Sequence, residues 1–285
     1  MNAVIIGRNG QVAWELQQTV PKNTNILVLG SQDVDITDLS DLTNALAEHE
    51  VDVIINASAY TAVDKAETDK ENAFLVNEQA VRNLAVVAKN KQARFIHIST
   101  DFVFDGEHNQ AYKTTDMTNP VSVYGASKLA GEQAAFDEYR HNTVVVRTSW
   151  VYSSHGNNFV KTMLRLMEEK EQLSVVADQI GCPTYARGLA EFLWVLSSEN
   201  KVESIYNWSD LGVASWYDFA IAIQSEALEQ GLLSKRIPIS PIATEDYPTP
   251  AKRPKFSLLD HLSSSHVYQG KHWQLNLAQM LKALL

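Results

Sequence analysis

Cysteine is nearly absent from this chain, since Cys182 is the only one among 285 residues. An intrachain disulfide is therefore impossible, which favours a reducing compartment. We interpret Cys182 as a buried, inert thiol rather than as a nucleophile.

The chain also lacks a long apolar run and an excess of basic residues. No apolar stretch approaches the ~18 residues of a membrane-spanning helix, and no basic segment followed by an apolar run precedes the first strand pattern. The 24 Lys and Arg residues against 34 Asp and Glu residues give a formal net charge of -10, which disfavours a nucleic-acid partner. We therefore expect a cytoplasmic protein that binds neither membranes nor nucleic acid.

Short apolar runs alternate with longer helical patterns along the first half of the chain. The runs are rich in Val and Ile and show little in/out alternation, which is typical of strands covered on both faces. This alternation predicts an α/β fold with a doubly wound parallel sheet, the Rossmann architecture. The predicted strands are residues 4–6, 26–29, 51–55, 95–98 and 144–146, and the predicted helices between them are residues 38–50, 71–89 and 122–139.

The first strand runs directly into a glycine-containing turn. Its spacing, Gly-x-x-Gly-x-x-Ala, lets the backbone approach a pyrophosphate and presents the N–H groups of the following helix to it. The alternative is a glycine turn that binds nothing, but the position at the first strand of an alternating pattern favours a dinucleotide. The expected cofactor contacts in this turn are Gly7, Arg8, Asn9, Gly10, Gln11 and Val12.

The turn suggests how the chain is divided. We expect a dinucleotide-binding domain over residues 1–150 and a smaller C-terminal α/β substrate domain over residues 151–285, some of whose segments return to the first domain. The last 50 residues contain five prolines and are predicted as surface loops near a cleft.

The end of the second strand bears on the choice of cofactor. An acid there would hold the ribose 2′-OH and repel a 2′-phosphate, but the strand ends in Gly-Ser and Asp33 lies further on. We therefore expect NADPH to be accepted at least as well as NADH. Asp35 and Ile36 are placed to meet the adenine, and Asp38 fits either that role or a plain helix N-cap.

Tyr124 and Lys128 lie four residues apart in a helical pattern and therefore share one face of the helix. A nearby ammonium stabilises a phenolate and lowers the tyrosine pKa, which makes proton transfer feasible at neutral pH. Thr100 follows the strand at residues 95–98, and a hydroxyl at the carboxyl end of a parallel strand faces the ligand crevice. The alternatives are a satisfied tyrosine on an amphipathic helix and a capping threonine.

These motifs together resemble the extended short-chain dehydrogenase/reductases. The resemblance rests on residues 7–13, 99–101 and 124–132. Further segments, at residues 56–67, 101–106, 147–152 and 178–184, are similar to the dTDP-4-dehydrorhamnose reductase family within that group. The resemblance extends over residues 1–260.

The resemblance implies an oxidoreductase that transfers hydride from NADPH or NADH to the C4 keto group of dTDP-4-dehydro-L-rhamnose, giving dTDP-L-rhamnose. It implies that Tyr124 protonates the forming alkoxide, that Lys128 tunes Tyr124 and holds the ribose, and that Thr100 bonds the reacting oxygen. It adds Ala57, Ala59 and Tyr60 to the cofactor contacts. The implied substrate contacts are Val63, Thr100, Asp101, Trp150, Asn158 and Arg253.

Some of these substrate contacts have plainer interpretations. Val63 and Trp150 fit ordinary packing, Asn158 fits an exposed turn, and Arg253 fits a solvated loop in which Lys252 is the alternative cation.

Two departures from the family pattern limit the assignment. Lys255-Phe256 stands where the family usually has a small residue and then Asn. Some members also share a magnesium ion at a dimer interface; Glu15 matches one acidic ligand, but Arg187 occupies another ligand position. We therefore expect no metal, and a monomer or a homodimer.

The alternative functions are reduction of another nucleotide-linked 4-keto sugar and a non-catalytic, NADP-binding regulatory subunit.

Overall fold

Six parallel strands form the central sheet of the computed structural model, which describes residues 1–285. The strands are β1 (Asn2–Ile6), β2 (Asn25–Leu29), β3 (Val53–Asn56), β4 (Arg94–Thr100), β5 (Thr143–Thr148) and β10 (Ile205–Trp208). Their order is β10-β5-β4-β3-β1-β2, and every neighbouring pair is parallel. The chain moves outward from β1 in both directions, which confirms the doubly wound α/β class and opens a crevice above β1 and β3.

Helices cover both faces of this sheet. Successive strand residues point to opposite faces, so Ala3 and Ile5 of β1 belong to one core cluster and Val4 and Ile6 to the other. This double burial explains why the strand sequences show no alternation. One face carries α1 (Gln11–Gln18) and α8 (Ala186–Ser198); the other carries α2 (Leu39–Ala45), α5 (Ala80–Lys91) and α6 (Val123–Tyr139). No helix is both long and apolar enough to span a bilayer.

A π-helix interrupts the helix that the sequence predicts over residues 71–89. It runs from Leu75 to Gln79 and joins α4 (Lys70–Phe74) to α5, and α3 (Val63–Ala66) precedes them. Gly131 of α6 packs directly on it, because an added Cβ would lie 2.0 Å from the Asn77 carbonyl oxygen. π-bulges of this kind occur often beside functional sites.

The residues after 150 build a third hydrophobic core beside the sheet, centred on Phe219, Ile223 and Tyr152. Strand β10 and helix α8 follow residue 150 in the chain but belong to the central sheet and its cover. The remaining strands are β6 (Val151–Tyr152), β7 (Leu173–Val176), β8 (Ile180–Gly181), β9 (Thr184–Tyr185), β11 (Ala214–Ser215) and β12 (Ile239–Ile242). The remaining helices are α7 (Phe159–Glu169), α9 (Trp216–Glu229), α10 (Leu262–Ser265) and α11 (Trp273–Lys282).

The prediction of surface loops for the last 50 residues was wrong for β12 and α11. Strand β12 pairs with β7 although it contains Pro241, and Leu277 and Met280 of α11 are buried in the third core. A two-stranded ladder leaves one edge of β12 free, where a proline is tolerated.

Candidate active site

A cleft of about 1030 Å³ lies above the carboxyl ends of the strands, between the central sheet and the third core. The glycine turn after β1, the start of α6, and Trp150 and Trp216 all line it. The cleft coincides with the position at which doubly wound sheets bind nucleotides.

The glycine turn is shaped for close backbone approach. Gly7 has φ +107°, and a Cβ there would lie 2.9 Å from the Ala57 backbone at the end of β3. Gly10 caps α1 without any side-chain hydrogen bond, so the first-turn N–H groups of α1 remain available to an anion. Gly7, Gly10 and their neighbours through Val12 all line the cleft. The turn therefore fits the pyrophosphate of a dinucleotide.

Arg8 lines the cleft beside the end of β2, where its backbone N–H donates to the Leu29 carbonyl. Its guanidinium pairs with Asp33 (Nη2–Oδ2 3.1 Å) and donates to the Val28 carbonyl, and Asp33 also accepts from the Gly30 N–H (2.7 Å). The Arg8 side chain is still about half exposed, at 47%. A cation thus stands beside the end of β2, while the nearest carboxylate is already engaged by two donors.

Asp35 and Ile36 line the same end of the cleft. Asp35 accepts from the Thr37 N–H and hydroxyl, which lowers the pKa of its carboxyl group. Asp38 accepts from the N–H groups of Ser40 and Asp41 and caps α2, so its alternative role as a helix cap is the one that the structure shows.

Tyr124 lies in the first turn of α6, on the cleft. Ser122 caps this helix by accepting from the Gly125 N–H (3.1 Å). A Cβ on Gly125 would lie 2.2 Å from the Phe102 carbonyl oxygen, so the glycine lets α6 pack on the 3-10 turn at Asp101–Val103. This packing brings Tyr124 next to Thr100, and both residues line the cleft.

Thr100 caps the 3-10 turn, which is the alternative role considered for it, and also lines the cleft. Its hydroxyl accepts from the Phe102 N–H (3.2 Å), which caps the 3-10 turn, and donates to Asp101 Oδ1 (3.0 Å). Burial raises the pKa of Asp101 to about 6. Thr100, Asp101, Tyr124 and Lys128 all line the cleft.

The pKa of Tyr124 shifts in the direction opposite to the one that the Tyr–Lys spacing predicts. Burial raises it to about 12, the Asp101 carboxylate acts in the same direction, and only the neighbouring Thr100 hydroxyl acts to lower it. The Lys128 amine is directed elsewhere, since its Nζ donates to the Ile98 carbonyl (2.7 Å). Burial lowers the pKa of Lys128 to about 8.

A buried ion pair holds α6 against the sheet. Arg147 of β5 binds both carboxylate oxygens of Glu132 at 3.0 and 2.7 Å, and the Ser99 hydroxyl donates to the same group. The two charged side chains are 4% and 3% exposed. Breaking such a pair leaves an uncompensated buried charge, so this pair positions the helix that carries Tyr124 and Lys128. The sequence reasoning did not find it.

Two tryptophans build the wall opposite Tyr124. Trp150 has φ +47° and stacks on Trp216, with ring centroids 3.7 Å apart and an interplanar angle of 10°. Gly181 leaves room for this ring, because a Cβ there would lie 3.0 Å from Trp150. Val63 and both tryptophans line the cleft. Trp216 was not predicted, because no motif connects it to Trp150.

Three predicted contacts do not line the cleft. The Tyr60 hydroxyl donates to Asp69 (2.9 Å), and Asn158 caps α7 while donating to Gln11 and the Ser153 carbonyl. Their side chains are used within the protein.

Arg253 is the third predicted contact that does not line the cleft. Its guanidinium binds both oxygens of Asp64, at 3.0 and 2.8 Å. This ion pair lowers the pKa of the Asp64 carboxyl and joins the C-terminal loop to α3.

Glu15 and Arg187 lie on adjacent helices away from the cleft. Glu15 is buried and accepts from the Ser153 hydroxyl (2.7 Å), while Arg187 pairs with Glu191 (3.3 Å). Burial raises the pKa of Glu15, which Arg187 opposes through its charge.

Several cleft-lining residues were outside the prediction although they flank predicted ones. Ser58 and Thr61 neighbour the predicted residues after β3, and Ser149 precedes Trp150, so extending each motif by one position would have found them. The further lining residues include Ser58, Thr61, Phe102, Ser149, Asn157 and Trp216.

The whole chain matches one protein family and several solved structures. The family model described as RmlD substrate binding domain matches residues 1–285. The dTDP-4-dehydrorhamnose reductase of Escherichia coli strain K12 is 39% identical, over 100% of this chain and 98% of that protein. The enzyme of the same name from Bacillus anthracis, solved in complex with NADP, superposes with a TM-score of 0.93 at 35% identity, with 99% of each chain covered. A Clostridium acetobutylicum structure of that name gives a TM-score of 0.91 at 37% identity, covering 100% of this chain and 99% of its own.

Proposed function

The chain belongs to the RmlD substrate binding domain family, and we propose that it is an oxidoreductase that reduces dTDP-4-dehydro-L-rhamnose to dTDP-L-rhamnose with NADPH or NADH. The observation that carries this proposal is the convergence of Thr100, Tyr124 and Lys128 on one cleft with the glycine turn of residues 7–12. A hydride donor and a proton donor are thereby brought to the same carbonyl group.

The nicotinamide cofactor supplies the hydride when it is bound. The first-turn N–H groups of α1 would hold its pyrophosphate, and Ala57 and Ala59, with the adjoining Tyr60, would contact the cofactor beside β3. Lys128 lies on the cleft beside Tyr124 and is placed to bond the nicotinamide ribose. Asp35 and Ile36 lie at the adenine end.

Tyr124 acts as the general acid in this proposal. With a pKa of about 12, its phenol is fully protonated at neutral pH and holds a proton for the alkoxide that forms at C4. In the structure Thr100 donates its hydroxyl proton to Asp101, and we propose that this proton turns to the reacting oxygen when substrate binds and aligns that oxygen with the phenol.

The sugar nucleotide is assigned to the part of the cleft between Tyr124 and the Trp150 wall. Val63 and Trp150 offer apolar surface to the sugar ring, which suits a deoxy sugar. Arg253 is proposed to pair with the diphosphate through charge-assisted bonds, which requires it to leave or share Asp64. Asn158 is proposed to support the same subsite from the adjoining loop.

An assay with dTDP-4-dehydro-L-rhamnose and NADPH tests the proposal directly. The wild-type protein should oxidise the cofactor, and Tyr124→Phe should lower kcat by about 10²–10⁴-fold without changing the dissociation constant for NADPH. Absorbance of the reduced nicotinamide gives the rate, and fluorescence titration gives the binding.

The other outcomes of this assay separate the alternatives. A wild-type protein that binds NADPH but oxidises none with any 4-keto sugar nucleotide would overturn the enzyme proposal in favour of a regulatory subunit. Activity with other nucleotides but not with dTDP would change the substrate. The half-exposed Arg8 supports acceptance of the NADPH 2′-phosphate, so a strong preference for NADH would contradict that part.

We also propose that no metal bridges two copies of the chain. The support is that Glu15 is buried on Ser153 and that Arg187, a cation, stands nearby and pairs with Glu191. The proposed working form is a monomer or a metal-free homodimer.

A further inference from the structure

A buried polar chain leads from the end of β3 to the amine of Lys128. Asn56 and His97 are neighbours in register on β3 and β4, and they are 1% and 0% exposed. Asn56 Nδ2 lies 3.1 Å from His97 Nδ1, and His97 Nε2 lies 3.5 Å from Lys128 Nζ. Neither residue lines the cleft.

The Ser58 backbone N–H determines which atoms donate and which accept along this series of polar side chains. Asn56 Oδ1 accepts from the Ser58 backbone N–H (3.1 Å) and from the Ser58 hydroxyl (2.6 Å). A backbone N–H can only donate, so the amide oxygen must face Ser58 and the amide NH₂ must face His97. The ring nitrogen Nδ1 is then an acceptor, and a neutral ring carries its proton on Nε2.

We infer that Asn56 and His97 are positioning residues that hold an imidazole N–H against the Lys128 amine and so set how readily Lys128 gives up its proton. If Lys128 is an ammonium, the proton that it directs at the imidazole N–H finds no acceptor. If Lys128 is a neutral amine, its lone pair accepts that N–H, so the imidazole favours the neutral form. The inference rests on the proposed function, because it concerns the lysine beside the proton donor.

The groups around Lys128 define what else acts on its proton. From α6 itself, the Glu132 carboxylate favours the ammonium, but Arg147 of β5 already neutralises it. From β4, the Ile98 carbonyl accepts one proton at 2.7 Å and His97 faces the amine. Tyr124 lies one turn away on α6, and Asp101 follows β4 in the 3-10 turn. His97 is therefore the nearest group that opposes the ammonium.

His97 is held in place for this role. The Phe95 ring stacks against it at 6.2 Å with an interplanar angle of 23°. Burial and the charge of Lys128 lower the pKa of His97 well below its usual range, so the ring stays neutral throughout the working pH range. A neutral, immobile ring presents the same nitrogen to Lys128 at all times.

Nitrogen-15 NMR of the histidine-labelled wild-type protein, without cofactor, reads the tautomer directly. We expect a protonated Nε2 and an unprotonated Nδ1 for His97, assigned by comparison with His97→Gln. A protonated Nδ1, or an imidazolium at pH 7, would overturn the inference. The measurement does not depend on enzymatic activity, so it fails or succeeds separately from the proposed function.

In a second experiment, Asn56→Asp should reverse the donor and acceptor roles of the two His97 ring nitrogens. Both carboxylate oxygens accept, so Nδ1 takes the proton, Nε2 becomes an acceptor, and the ammonium of Lys128 is favoured. We expect the pKa of Lys128, followed by carbon-13 NMR of labelled lysine, to rise by about one unit, and the basic limb of the kcat profile to move upward with it.

Asn207→Asp is the matched control, since Asn207 is another buried strand asparagine of the same sheet, on β10. This variant should leave the pKa of Lys128 and the basic limb unchanged. A switched His97 tautomer in Asn56→Asp without any change in the Lys128 pKa would contradict the inference. Should Asn56→Asp not fold, the wild-type tautomer alone decides.

Discussion

Burial shifts the pKa values of Tyr124 and Lys128, the paired groups of the candidate catalytic centre, in opposite directions. It raises the pKa of Tyr124 to about 12 and lowers that of Lys128 to about 8. Both shifts favour the neutral form of the group. The phenol therefore keeps its proton at every physiological pH, the amine loses part of its charge in the mildly alkaline range, and Asp101 beside Thr100 titrates near pH 6, so pH acts on the centre through Asp101 and Lys128.

Asp210 is a buried carboxyl group outside the cleft, and its ionisation affects the stability of the fold. It is fully buried, accepts from the Tyr185 N–H (3.1 Å), and its other oxygen has no partner. Burial raises its pKa to about 7, from an ordinary value of 3.8. Between pH 4 and pH 7 the folded state thus binds more protons than the unfolded state, and stability falls as pH rises through that range.

Asp210→Asn removes this ionisation. We compare the free energy of unfolding of the variant with that of the wild type at each pH. The difference, variant minus wild type, should increase by on the order of 4 kcal/mol between pH 4 and pH 8. Urea unfolding across this pH range measures it. Asp137→Asn, at an exposed position of α6, makes the same change of charge and should give a difference that barely varies with pH. A flat profile for both variants would contradict the prediction.

At the scale of elements, the contact between α6 and the π-helix links packing to the site. Asn77 of the π-helix accepts from the Tyr60 N–H, donates to the Tyr60 carbonyl and donates to Ser127 of α6. The wider π turn brings its Asn77 carbonyl within reach of Gly131, so α6 lies closer than any residue with a Cβ would allow. The helix that carries Tyr124 and Lys128 is thereby set against the segment after β3.

Gly131→Ala should separate these two helices. We expect it to destabilise the protein by about 1–3 kcal/mol through overpacking and to lower kcat, because α6 moves as a unit. Gly188→Ala in α8 is the matched control: its Cβ would meet nothing closer than 3.7 Å, so it should stabilise by about 0.5–1 kcal/mol with kcat unchanged. Chemical denaturation and steady-state rates measure both, and equal effects of the two substitutions would refute this account.

At the scale of the whole molecule, contacts join segments that are far apart in the chain to the segments that line the cleft. The loop at residues 153–158 touches the glycine turn through Asn158–Gln11 and His155–Asn9. The C-terminal loop touches α3 through Arg253–Asp64. Because these ion pairs and hydrogen bonds are partly exposed, each adds only about 0–1 kcal/mol to stability, which leaves them free to exchange partners.

Arg253→Ala and Asp64→Asn together test whether Arg253 serves substrate or only structure. Both variants remove the same ion pair, but only the first removes the cation. We expect Arg253→Ala to raise KM for the sugar nucleotide at least about tenfold, the loss of one charge-assisted interaction, and Asp64→Asn to leave KM unchanged or lower it. Matching rises in both variants would assign Arg253 a purely structural role. The dissociation constant for NADPH should stay constant in both.

The sequence by itself determined the features that depend on near neighbours in the chain. Apolar runs with no alternation indicate doubly covered strands, Gly7 and Gly10 indicate a close backbone turn, and four-residue spacing puts Tyr124 and Lys128 on one helix face. Each follows from the local geometry of strands, turns and helices. The fold class could therefore be predicted from local geometry, whereas the family was predicted from the resemblance of the motifs to known reductases.

Only the tertiary structure decided how these groups act on one another. The stacking of Trp216 on Trp150, the capture of Arg253 by Asp64 and the approach of His97 to Lys128 join segments that no spacing rule connects. The direction of the Tyr124 pKa shift was also decided by the tertiary structure, because it depends on how deeply the folded chain buries the phenol and on where the Lys128 amine points. Burial and long-range contact are properties of packing, and packing exists only once the distant segments have met.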